Sequence, residues 1–267
     1  MASTTAEPST SLTTTNPNFL RGAAVLMIWG GVDDSATDEE ALNAWWTNEH
    51  LPERLSIAGF LRTRRFYTLK NGQSQYLVVY EVNSLETLTS PAYMAALNDP
   101  TPSTKQFMPL LASMNRSACR ILHSAARDDF TAAAKTGIGG TVAHIVFEPP
   151  PSDEAKDSLR KWIADVGWPS LAAFPSPLAL HLLEQDDAAT TSGNSTKSYE
   201  EVRFETIEGG DGKRQQRWML LIEFAEPFGA PFSRAFTLTD TIADKLEEQD
   251  AYEIDVRLYS LICTASE

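Results

Sequence analysis

The apolar residues of this chain come in strand-sized runs, such as Ala23 to Trp29 and Met219 to Ile222, separated by segments of helical period or by turn signals. None approaches the roughly 18 consecutive apolar residues that cross a bilayer as a helix. Runs of that size, alternating with helices, must pair into a sheet and cover one of its faces. Their order along the chain therefore limits the fold more than any other feature.

Ala23 to Val32 reads as a buried strand ended by Gly30 and Gly31. Asp33 to Ile57 follows as a helix with Asp34 or Ser35 as cap, Asp38 to Glu40 near its positive end, and Leu42, Trp45 and Trp46 starting an apolar stripe. Pro52 lacks an amide proton and crowds the preceding turn, which predicts a helix in two pieces. Phe60 to Leu69 and Gln75 to Val82 form a hairpin around Asn71-Gly72, two short helices cover Ser84 to Leu97 and Ser103 to Met114, and Arg116 to His123 is a strand. The order is β-α-β-β-α-β, a ferredoxin-like unit.

After a linker rich in Ala, Thr and Gly, the order repeats: strand Thr141 to Phe147, helix Ser152 to Trp168, strand Pro177 to Glu184, strand Arg217 to Phe224, helix Ser233 to Glu248 and strand Tyr252 to Cys263. Asp186 to Lys197 reads as a mobile loop. An additional strand at Glu200 to Ile207, before the Gly209-Gly210-Asp211-Gly212 turn, has no counterpart in the first repeat. The expected organisation is a disordered tail over 1–18, a first half over 19–125, a linker over 126–140 and a second half over 141–267. The fold class is α+β, two such halves packing their antiparallel sheets into one barrel.

Charge divides unevenly between the halves. Residues 1–125 hold 9 Lys+Arg against 11 Asp+Glu, and residues 126–267 hold 13 against 25, within a total of −14. This balance disfavours nucleic acid and anionic membranes as partners, since both need a basic patch. Cys119 and Cys263 stand far apart without neighbouring ligands at zinc spacing, which fits a reducing, cytoplasmic setting and no metal. No dinucleotide, P-loop, nucleophile-elbow or HExxH motif is present, so no cofactor is expected.

The most specific stretch is Trp45-Trp46-Thr47-Asn48-Glu49-His50-Leu51-Pro52-Glu53-Arg54, followed by Ile57-Ala58-Gly59-Phe60-Leu61-Arg62-Thr63-Arg64-Arg65-Phe66. It resembles the helix-to-strand signature of the dimeric α/β-barrel superfamily, especially its EthD-like branch, with two copies fused in one chain. The second repeat offers Gly167-Trp168-Pro169-Ser170-Leu171 instead, without the Glu-His pair. The resemblance implies a cofactor-independent enzyme acting on a polyketide- or terpenoid-like carbonyl compound, a lyase, cyclase or isomerase by type. His50, oriented by Glu49 or another carboxylate, would be the base, and Arg65 or Tyr67 would stabilise an enolate. Trp29, Trp45, Trp46, Phe60, Tyr80 and His123 would line an aromatic pocket.

Two other readings follow from the same residues. A base that makes a carbanion also suits oxygenation of an aromatic substrate without a metal, and the cleft also suits a protein that binds a small molecule without turning it over. Strand alternation sets Arg62, Arg64 and Phe66 on one face and Thr63, Arg65 and Tyr67 on the other. His144 and His181, on apolar strands, read as core histidines. A fused pair can stay monomeric or form a homodimer.

Overall fold

The computed structural model describes residues 19–32, 37–111, 113–127, 139–200, 202 and 217–267. The expected tail, Asp34 and Ser35, most of the linker and of the strand Glu200 to Ile207, and the Gly209 to Gly212 turn lie outside the described residues.

Eight strands close a barrel: β1 (Ala24–Gly31), β2 (Phe60–Lys70), β3 (Gln73–Val82), β4 (Ser113–Ala126), β5 (Thr141–Glu148), β6 (Pro177–Gln185), β7 (Trp218–Phe224) and β8 (Tyr252–Ser266). Around the ring the order is β1-β3-β2-β8-β5-β7-β6-β4, with every neighbouring pair antiparallel. The first four strands thus lie as β4-β1-β3-β2 and the last four as β8-β5-β7-β6, the ferredoxin-like order in both sheets. Two seams, β2 with β8 and β4 with β6, join the sheets, so none of these strands is left as an open edge. The β2–β3 hairpin turns on Asn71 and Gly72, both at positive φ (54° and 81°), as a two-residue Asn-Gly loop requires.

The first helix is made of α1 (Glu39–Trp45), a π turn (Trp46–His50) and α2 (Leu51–Leu55). Its cap is Asp38, whose carboxylate accepts from the Ala41 amide at 3.0 Å. Pro52 is the second residue of α2, directly after the π turn. The helical stretch after β3 is more broken than the pattern suggests. It contains a 3₁₀ turn (Leu85–Thr89), α3 (Pro91–Asn98), α4 (Pro102–Phe107) and a second 3₁₀ turn (Met108–Leu110), with Pro91 and Pro102 opening the two α segments.

The second sheet repeats the device: α5 (Asp153–Trp162), a π turn (Ile163–Gly167) and α6 (Trp168–Ala172), with Ser152 as cap. The segment read as a mobile loop is ordered instead. It forms α7 (Asp187–Thr191), capped by the Asp186 carboxylate, and a 3₁₀ turn (Lys197–Tyr199). Thr190 Oγ1 accepts from the Ala118 amide at 3.0 Å, and Arg116 donates to the carbonyls of Ala189 and Thr190. These long-range bonds override the local turn composition. The last helix is α8 (Ala235–Glu247).

Three apolar layers result. One lies between the first sheet and its helices, one between the second sheet and its helices, and one fills the barrel with Val25, Met27, Trp29, Phe66, Leu77 and Tyr259 among others. Among the described residues no helix is long and apolar enough to cross a membrane.

Candidate active site

Strand parity decides which side chains meet. On β1 and β3, Ala24, Leu26, Ile28, Tyr76, Val78 and Tyr80 face the helices, whereas Val25, Met27, Trp29, Leu77 and Val79 face the barrel interior. Trp45, Trp46, Phe60 and Tyr80, expected around one pocket, all lie in the helix-side layer. Trp29 does not. It is inside the barrel, edge-on to His144 with ring centroids 4.9 Å apart.

His50 ends the π turn and is only 8% exposed. Its ring lies 4.9 Å from that of Trp45, which stacks on Phe107 at 5.3 Å. Nδ1 is 3.7 Å from Glu53 Oε2 and has no hydrogen-bond partner among the described residues. Burial, reinforced by the positive charge of Arg54, holds the imidazole pKa well below its usual 6.5, so the ring is neutral near neutral pH. Glu49 is engaged elsewhere, its carboxylate accepting from Thr101 Oγ1 at 2.6 Å. Glu53, one helical turn on, is the carboxylate beside His50.

Two arginines that the sequence reading did not single out complete this cluster. Arg54 is 3% exposed, lies 6.0 Å from the centre of the Tyr93 ring, and pairs with Glu53 at 3.3 Å through Nη2. Its Nε and Nη1, like Trp45 Nε1, are buried without a hydrogen-bond partner among the described residues. Arg116, anchored by α7 as above, stands 5.9 Å from the Tyr199 ring. Burial pushes the Tyr80 and Tyr199 phenols above their ordinary range, keeping both protonated. Glu53 and Arg54 stand three and four residues after His50, the spacing of helix neighbours, and so carried a local signal. Arg116 and Tyr199 come from β4 and from the segment after β6, and had none.

A cavity of about 220 Å³ is lined by Lys105, Met108, Pro109, Lys197, Ser198, Glu200 and Val202. Its lining includes sequence neighbours of Phe107 and Tyr199, two members of the same layer.

Arg65 and Tyr67 do face the helices, at a distance from the Glu53–Arg54 side. Arg65 donates to Thr47 Oγ1 at 2.9 Å, to the Asn43 carbonyl at 3.3 Å and to Asn43 Oδ1, and it packs on Trp46 and Tyr76. Tyr67 is half-buried against Tyr76, its hydroxyl 3.5 Å from Ser74 Oγ. His123 falls at the seam of β4 with β6, where the titratable groups near it are His181 and Asp165, not the His50 cluster.

Arg62 and Arg64 point into the barrel, where their acidic partners are Glu81 on the neighbouring strand β3 and Glu223 on β7 of the second sheet. Arg62 Nε donates to Glu81 at 2.9 Å, Arg64 lies 3.0 Å from Glu81 and 2.6 Å from Glu223, and His181 Nε2 is 3.5 Å from Glu223. His181 Nδ1 in turn lies 2.7 Å from Ser124 Oγ. Burial pushes the Glu223 carboxyl up, but Arg64 and His181 overcome it and hold the pKa at about 2. This network ties the first sheet to the second through the barrel.

No protein-family model and no curated protein matches the chain. Solved structures do. A protein described as anthrone oxidase-like is 14% identical, with a TM-score of 0.56 over 91% of this chain and 93% of that one. A protein of Fusobacterium nucleatum subsp. nucleatum assigned as a monooxygenase is 8% identical, with a TM-score of 0.54 over 93% and 96%. At these identities the likeness is one of fold, and this chain shares the ferredoxin-like α/β barrel of both proteins over nearly its whole length.

Proposed function

We propose that the chain is a cofactor-independent enzyme for a flat, aromatic or polyketide-like carbonyl compound, and that its first chemical step is removal of a proton by His50. The observation that carries this reading is the buried, neutral imidazole beside Glu53, facing a guanidinium with two unpartnered nitrogens, inside aromatic walls. A neutral imidazole accepts a proton; a charged one does not. The substrate enters by the cleft between Lys105 and Lys197. A C–H bond conjugated with the carbonyl breaks, its proton goes to His50, and its electron pair moves through the conjugated system onto the carbonyl oxygen as an enolate. Arg54 stabilises that charge more than it would in water, because the site is dry. Glu53 steadies the imidazolium, and Trp45, Trp46 and Tyr80 hold the ring system flat.

The names attached to the two similar folds favour an oxygen-dependent outcome over cyclisation, isomerisation or decarboxylation. There, dioxygen oxidises the carbanion: one oxygen atom becomes a new carbonyl, the other leaves as water, and no external reductant is used. We also propose that the Glu49-His50 motif marks an EthD-like ancestry with two fused copies, the second having kept only the scaffold.

The test is oxygen uptake by the full chain with anthrone as substrate, repeated with His50→Gln. Uptake matching quinone formed, falling about a hundredfold or more in the variant, supports the reading. An unchanged rate in His50→Gln removes His50 as base. Saturable binding of anthrone with no product in the intact protein would make this a binding barrel and not an enzyme.

A further inference from the structure

The barrel interior has a second pocket that the His50 chemistry does not use. At the end of the barrel opposite the Arg62–Glu81–Arg64–Glu223 network, a cavity of about 360 Å³ is lined by Gly30, Gly31, Lys70, Asn71, Gln73, Gln75, Asn115 and Arg257. Gly31, Gln75 and Arg257 belong to three different strands, and Arg257 lies opposite His144 in the β5–β8 register. Trp29, next to Gly30 in the chain, packs edge-on to His144.

The chemistry of this lining is one-sided. In a chain of net charge −14, the wall carries two cations and no carboxylate, with four side-chain amides between them. Arg257 Nη1 donates to Gln75 Oε1 at 3.3 Å, which fixes the guanidinium toward the cavity. Its Nε is buried without a hydrogen-bond partner among the described residues, and its ion pair with Asp255, at 3.0 Å, is to a half-exposed carboxylate outside the lining. Lys70 makes no ion pair among the described residues. A third guanidinium, Arg217, donates to Asn115 Oδ1 at 3.4 Å and turns that amide's NH₂ donors away from itself. The glycines at 30 and 31 leave room at the wall: a Cβ on Gly31 would come within 2.6 Å of Gln75 Nε2.

We propose that this barrel mouth is a binding site for a small oxyanion, a carboxylate or phosphate group, held by Arg257 and Lys70 with the amides of Gln73, Gln75 and Asn115. Arginine and lysine on one pocket whose lining holds no carboxylate give charge-assisted hydrogen bonds to such a group, in competition with the half-exposed Asp255, and the volume falls in the range of small-molecule sites. The site is separate from the His50 cluster, because it opens on the opposite face of the first sheet.

Calorimetric titration of the full chain with succinate, inorganic phosphate and the neutral succinamide tests this. Saturable one-to-one binding of succinate or phosphate, weakening with added salt, is expected, with succinamide inert; whichever anion binds tighter identifies the headgroup. Arg257→Gln should abolish it. Lys70→Gln, an exposed change that leaves folding intact, should weaken it about tenfold. His50→Gln should leave it unchanged. No saturable binding of either anion, equal binding of succinamide, or binding insensitive to Lys70→Gln would overturn the proposal.

Discussion

Gly167 holds in the second helix the place that His50 holds in the first. Each closes a π turn, and each is followed by a short α segment with proline second. Trp162 likewise matches Trp45. Around these shared positions the fillings diverge. The first layer contains Trp46, Tyr76, Tyr80, Tyr93 and Tyr199 with Arg54 and Arg116 at its polar edge, and the second is built from Leu159, Ile163, Leu171, Leu180, Leu182, Leu220 and Ile222. The π turn thus belongs to the fold, since it recurs where no titratable side chain uses it. What distinguishes the first face is buried polar chemistry, which costs stability unless partners or a ligand satisfy it.

If the second face is scaffold alone, its interior should matter for stability and not for turnover. Leu220→Ala removes a fully buried side chain and should cost about 2–5 kcal/mol in urea unfolding, with turnover per folded molecule unchanged. His50→Gln should do the reverse, losing about a hundredfold or more in turnover while its thermal midpoint stays near that of the native chain. A Leu220→Ala enzyme with reduced turnover would break the contrast.

The pH dependence separates the faces further. A base held below 6.5 gives a turnover profile whose acid limb lies below 6.5 and is flat above it. Because the Arg54 charge helps lower His50, Arg54→Met should move that limb upward. Stability draws on the barrel histidines as well as on His50. His144, which burial and Arg257 hold at about 3, and His181, lowered chiefly by burial, stay neutral in the fold but take up protons on unfolding below about 6.5. Stability is therefore complete above 6.5 and declines as pH falls, with Glu223 adding a further loss between about 4.5 and 2. Urea titrations from pH 7 to 5 should show this decline in His50→Gln too, since the barrel histidines remain.

The smallest effect is expected at Gly167→Ala. Its φ is −59°, and a Cβ would meet the Trp162 ring at an ordinary 3.5 Å. A gain of up to about 1 kcal/mol in thermal stability with unaltered turnover is expected. A loss of turnover there would mean that the second face takes part in catalysis.

Much of this molecule was legible in its residues. Alternating apolar runs marked the strands, Asn71-Gly72 marked the hairpin, Pro52 marked the interruption of the first helix, and parity divided Arg62 and Arg64 from Arg65. These signals are local, because they follow from periods of 2 and 3.6 and from the backbone limits of proline and glycine. Which groups share a site was decided by contacts far apart in sequence. Trp29 and His123 left the expected pocket because β1 and β4 turn them to other surroundings, while Arg116 and Tyr199 joined it only because α7 and its flank dock on the first sheet. The acidic excess of the second half gave no sign of a buried ion pair, yet one of its carboxylates, Glu223, lies across the barrel from Arg64. Only closure of the barrel brings that pair together, at the low dielectric where an unpaired charge could not remain.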